Sequence, residues 1–157
     1  MQAHPIDRNM SDFVETAITS ARRFLDSAPS LKYSWSASDS GAQALTIDAV
    51  GESGFPVELV FEDYGVYPYA GDWHGAPWDS GVWDGERLAH AIQEFLDSVF
   101  SPEGYLDVHY SGGSPYRLTL HHRFEGEWVN DERGLIFFNW FGKRSKRRLS
   151  NAADGAE

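Results

Sequence analysis

Cysteine is absent from the 157 residues, which excludes disulfides and thiolate metal sites and points to a reducing, cytoplasmic setting. No basic-then-apolar leader occupies residues 1–10, and no apolar run approaches the roughly 20 residues of a membrane span, so a soluble chain with no membrane partner is expected. Equally missing are a Gly-rich phosphate loop, an H-E-x-x-H pair and a nucleophile-elbow serine, and this removes the common signatures of catalysis and of a bound cofactor. Basic residues are scarce and unevenly placed. Lys143, Arg144, Lys146, Arg147 and Arg148 crowd into six positions, leaving residues 1–142 with eight bases against twenty-two acids, a net charge of −14. Such a body repels a phosphate backbone, which argues against nucleic acid as its partner.

What is present is acid interleaved with aromatic rings. From Asp39 to Asp107 there are fourteen acidic side chains and one base, Arg87, together with three of the six tryptophans.

The length fits a single domain with its own core, residues 1–142, followed by a solvated basic tail at 143–157. Asp12-Phe13-Val14-Glu15 has the form of a helix N-cap, and Phe13, Ala17, Ile18, Ala21, Phe24 and Leu25 then recur at helical spacing, ending before Pro29. Three strands follow around turns at 39–42 and 51–54: one alternating through Tyr33 and Trp35, one at 43–50 and one at 55–62. The simplest hairpin register sets Trp35 against Ile47, Ile47 against Leu59 and Ala49 against Val57. It also opposes Asp48 and Glu58 on the polar face, with Lys32 nearby.

Residues 63–83 show no clear period and read as a long aromatic loop, rich enough in Tyr and Trp to be ordered. An amphipathic helix over 84–100 carries Leu88, Ile92, Phe95, Leu96 and Val99 on one stripe. A hairpin around Gly112-Gly113 and a last, continuously apolar strand over 134–141 complete the chain. The order helix, three strands, loop, helix, three strands predicts an α+β domain: one antiparallel sheet of six or seven strands with two helices packed on it.

Two constellations invite chemistry. Asp107, His109, Arg117, Thr119, His121 and Arg123 share one face of the hairpin, where Asp107, His109 and His121 could activate a water; His122 points to the core and should be hydrogen-bonded there. His74 lies between Asp72 and Trp78, but no nucleophile accompanies it. The arginines beside the histidines oppose a metal ion, and no metal site is expected.

The remaining reading is recognition. Carboxylates and loop rings half-exposed beside them suit a basic protein partner, with Asp48, Glu58, Glu62, Asp63, Asp72 and Asp79 supplying charge and Tyr67, Tyr69, Trp73, His74, Trp78 and Trp83 supplying anchors. A small ligand or carbohydrate stacked on the loop tryptophans is the alternative. With its acidic, cysteine-free α+β character and the segment Tyr67-Pro68-Tyr69-Ala70-Gly71-Asp72-Trp73-His74, the chain resembles bacterial immunity proteins of polymorphic or contact-dependent toxin systems. The resemblance implies a cytoplasmic, non-enzymatic antitoxin that occludes one cognate toxin domain, often a basic nuclease. Phage inhibitors of nucleic-acid-binding machinery have the same general character.

Overall fold

Helical spacing of the apolar residues produces α1 (Ile6–Ser27) and α2 (Gly85–Val99), which pack on each other. The computed structural model describes residues 6–39, 41–135 and 140–152, with side chains from residue 12 onward. Asp12 lies inside α1 and does not cap it; its carbonyl accepts a bond from Thr16 Oγ1 at 2.7 Å. Asp84 does cap α2, accepting from the Arg87 backbone N–H at 2.8 Å, so that one otherwise orphaned donor is satisfied.

Ten strands among the described residues form two antiparallel sheets, not the single sheet expected. Sheet A contains β1 (Tyr33–Ala37), β2 (Gln43–Ile47), β3 (Val57–Glu62), β4 (Gly65–Ala70), β5 (Trp73–His74) and β6 (Trp78–Asp79), with β5 and β6 both pairing to β4. Sheet B runs in the order β10 (Arg144–Leu149), β7 (Tyr105–Ser111), β8 (Ser114–Phe124), β9 (Glu127–Gly134). The α+β class with helices packed on sheet holds.

The meander is offset by two residues from the expected register: Trp35 opposes Leu45, Leu45 opposes Leu59, and Ile47 opposes Val57. An even offset keeps every side chain on its face. It removes the Asp48–Glu58 opposition, however, because Thr46 stands opposite Glu58 and its hydroxyl donates to Glu58 Oε2 at 3.2 Å. Asp48 lies past the end of β2, where its N–H donates to the Lys32 carbonyl. The connection from 48 to 56 is wider than a tight hairpin because Gly51 takes a φ of +71° and Asn151 occupies the turn, and this moves the pairing.

The segment read as a loop contains three strands, β4, β5 and β6. Val66, Pro68 and Ala70 face inward and Tyr67 and Tyr69 outward, a period of two that Pro68 disguises. Pro68 is tolerated because it sits between the pairings of β5 with Tyr69 and Ala70 and of β6 with Gly65 and Val66, where little ladder bonding is asked of a missing N–H.

The basic tail is also strand. Arg144 to Leu149 pair with Ser111 to Leu106 as β10, and Asn151 is buried. Composition misleads here because an edge strand tolerates, and often carries, a row of bases that discourages pairing with other chains. Of the apolar strand expected over 134–141, residues 136–139 lie outside the described residues; β9 ends at Gly134, and Trp140 and Phe141 lie in a turn.

One continuous core joins both sheets and both helices. At its centre Phe95 of α2 meets Trp73 at 6.2 Å and Trp78 at 5.7 Å, ring centre to ring centre, and His122 of β8 at 5.4 Å.

Candidate functional site

The outer face of sheet A is built by parity. With Leu45, Leu59, Val57 and Val66 turned to the core, the alternate positions form rows across the strands. One row reads Ser34, Thr46, Glu58, Tyr69, His74; the next reads Ser36, Ala44, Val60, Tyr67; a third reads Glu62, Gly65, Asp79. Asp63 and Asp72 occupy the turns on either side of β4, and Asp48 lies beyond the end of β2. Nine of the twelve expected binding residues therefore belong to this face or its borders. Lys32, opposite Asp48, is the base beside them.

The face is solvated and weakly self-paired. Asp48, Glu62, Asp63, Asp72, His74 and Asp79 are exposed, while Glu58 and Tyr67 are half-buried. Tyr69 is 36% exposed and Tyr64, at the β3–β4 turn, 65%. Asp79 Oδ1 accepts from the Gly81 N–H at 2.6 Å, holding that carboxylate in place at the edge. A shallow depression of about 450 Å³ is lined by Gly41, Ala42, Glu62, Asp63 and Tyr64, with space for a long side chain between two carboxylates and a phenol. Tyr64, Thr46 and Val60 were not singled out in the sequence; the alternation across 65–70 was the available signal for that face.

The tryptophans are elsewhere. Trp73 is 1% exposed and its indole N–H donates to the Asp131 carbonyl at 3.1 Å; Trp78 is 6% exposed. They close the core between the sheets, so the expectation that they serve as binding anchors is corrected. Trp83 is half-buried near the start of α2, with the Arg87 guanidinium 3.8 Å from its ring centre and Phe124 edge-on. An apolar cavity of about 190 Å³ lies beside Trp73, Trp78, Phe95, His122 and Phe124 but not Trp83. It is smaller than the roughly 300 Å³ at which ligand pockets begin, and the two buried tryptophans offer no open ring face for a sugar.

His122 borders that cavity. Its Nδ1 lies 3.1 Å from the Arg123 carbonyl, which can only accept, so Nδ1 carries the proton; burial pushes the imidazole's pKa down and keeps it neutral. The expected buried hydrogen bond is thus present, while Nε2 finds no partner among the described residues.

The outer face of sheet B does not assemble the acid–base set. Asp107 is buried and gripped in a bidentate pair by Arg148 at 2.8 and 2.9 Å, with Lys146 at 3.7 Å. His109 instead contacts Arg117 and Thr119, at 3.4 and 3.5 Å. His121 is sandwiched between Tyr105 and Trp128, at 4.6 and 4.8 Å, and its Nδ1 lies 2.6 Å from Asn130 Oδ1. Among the described residues no group of three or more His, Asp or Glu side chains is placed to hold a metal ion.

Burial raises the Asp107 pKa, but the Arg148 hydrogen bonds and the Arg148 and Lys146 charges outweigh it and leave the carboxyl below its ordinary value. A depressed folded pKa stabilises the fold above the unfolded value of about 3.9, and that stabilisation is lost as pH falls through the folded pKa. Arg148→Ala is therefore expected to cost about 2 kcal/mol at pH 7 and to flatten the acid limb: burial then acts on Asp107 with only the Lys146 and His109 charges opposing it, the folded pKa rises, and the gap to wild type narrows as pH falls below about 3.9. Urea titrations from pH 2.5 to 7 read both effects; a difference from wild type that stays constant over the whole range contradicts the assignment.

Comparison with known protein families, with curated proteins and with solved structures finds no match to this chain.

Proposed function

We propose that the protein is a non-enzymatic inhibitor, of the immunity-protein kind, that binds a basic protein domain through the outer face of sheet A. The observation that carries this reading is the gathering of Glu58, Glu62, Asp63, Asp72 and Asp79 with Tyr64, Tyr67 and Tyr69 on one open face and its borders. Complementary charge would steer encounter, and tyrosines would supply most of the residence time: large, stiff rings with a polar tip lose little entropy on contact. The anchors in this reading are tyrosines, because the loop tryptophans belong to the core.

The test is capture from host cells with wild-type protein and with Glu58→Lys/Glu62→Lys/Asp79→Lys, each immobilised, followed by mass spectrometry. Wild type is expected to retain a basic protein that the variant loses. With that partner purified, the variant's association rate is expected to fall by about tenfold or more at low salt, with a much smaller difference at 0.5 M salt. Recovery of no protein by wild type, or equal recovery by both, counts against the proposal.

A further inference from the structure

The basic strand and the aromatic turn before it are not used by the acidic face. Trp140 is 78% exposed and Phe141 100% exposed. They are followed at once by Lys143 and by Arg144, Lys146 and Arg147 of β10, all exposed. This turn is fastened to the β7–β8 hairpin: the Gly112 N–H donates to the Lys143 carbonyl at 2.9 Å, and Arg144 pairs with Ser111. A Cβ on Gly142 would collide with the Gly112 backbone, so the close approach requires glycine at 142. Two large rings are thereby held at the edge of the sheet, beside cations that leave the edge strand on both faces, Arg144 and Lys146 on one and Arg147 on the other.

We propose that Trp140, Phe141 and the bases of 143–147 form a peripheral attachment site for an anionic lipid surface. Trp and Phe partition into the boundary between headgroups and acyl chains, and clustered Lys and Arg are drawn to the negative potential of phosphatidylserine-type headgroups. Guarding an edge strand explains the bases but not the two exposed rings. Single-stranded nucleic acid also combines cations with rings, but it needs open ring faces spread along the cations, and Trp140 and Phe141 sit together at one end of them. On this sheet those faces are largely taken: the Arg148 guanidinium lies 3.6 Å from the centre of the Tyr105 ring, Tyr105 stacks on His121 at 16° and His121 on Trp128 at 13°. On the sheet face that carries Arg144, Lys146 and Arg148, Asp107 is buried against Arg148, and Glu132 of β9 is separated from β10 by both β7 and β8. Surface attachment needs no spanning helix, and no described helix is long and apolar enough to be one.

The experiment is co-sedimentation of the full chain with vesicles of phosphatidylcholine alone and of phosphatidylcholine with 30% phosphatidylserine, at 0.1 and 0.5 M salt. At least about tenfold stronger partition to the anionic vesicles is expected at low salt, and release at high salt. Two variants, Trp140→Ser/Phe141→Ser and Lys143→Gln/Lys146→Gln/Arg147→Gln, are each expected to lower partition about tenfold while circular dichroism stays that of wild type. Equal partition to both vesicles, no partition to either, or full retention by both variants overturns the proposal. So does binding of a single-stranded oligonucleotide in preference to the anionic vesicles.

Discussion

A chain ending at Gly142 is expected to lose its cooperative fold. Sequence composition marks residues 143–157 as dispensable, yet β10 pairs with β7 along its whole length and Leu149 packs against the core. Removing it strips Asp107 of both cationic partners, and a buried carboxylate left without its partner costs about 3–5 kcal/mol. Asn151 would go too. Its Oδ1 accepts from the Val50 and Phe55 N–H groups at 3.2 and 2.9 Å, its Nδ2 donates to the Phe55 carbonyl at 2.9 Å, and the neighbouring Ser150 N–H donates to Ser53 at 2.8 Å. Each orphaned backbone group costs about 1–3 kcal/mol. Together these losses match a typical total stability of about 5–15 kcal/mol. Residues 1–142 should give poor proton chemical-shift dispersion and no cooperative urea transition; a sharp transition at the wild-type midpoint contradicts the role given to β10 and Asn151.

Trp73→Ala is expected to cost about 4 kcal/mol, in the middle of the range for aromatic truncation in a core. The indole is almost wholly buried, stacks on Phe95, meets His122 edge-on at 5.8 Å, and satisfies the Asp131 carbonyl of β9. Its loss opens a cavity where the two sheets and α2 meet and strands one acceptor. Tyr67→Ala and Tyr69→Ala, on the open face, should stay within about 1 kcal/mol of wild type. Equilibrium urea unfolding separates the cases. A Trp73→Ala cost below about 1 kcal/mol would place this ring outside the core and return it to the binding face.

The helices were legible because Leu88, Ile92, Phe95, Leu96 and Val99 repeat at a period that only a helix satisfies, with Asp84 as the cap. The meander was legible in its faces but not in its pairing: alternation fixes which side Leu45, Ile47 and Leu59 occupy, whereas the two-residue offset depends on Asn151, a hundred residues downstream. Long-range contacts leave no local signal. The same reason hid β10, whose bases are explained by its edge position and by Asp107 across the ladder, neither of which composition records. Between 63 and 83 the aromatics pointed correctly to order. Which rings are inside followed from parity that Pro68 and the very short β5 and β6 obscured. Of the proposed site, the carboxylates and Tyr67 and Tyr69 were readable; the core roles of Trp73 and Trp78 required the second sheet.

Hydrogen exchange on the protein alone and in complex with its captured basic partner tests the central claim most directly. The account predicts added protection of β3 and β4, Val57–Glu62 and Gly65–Ala70, and of the turns at Asp63 and Asp72, with β8 and β9 unchanged. Protection confined to sheet B, with the outer face of sheet A exchanging as in the free protein, would contradict it.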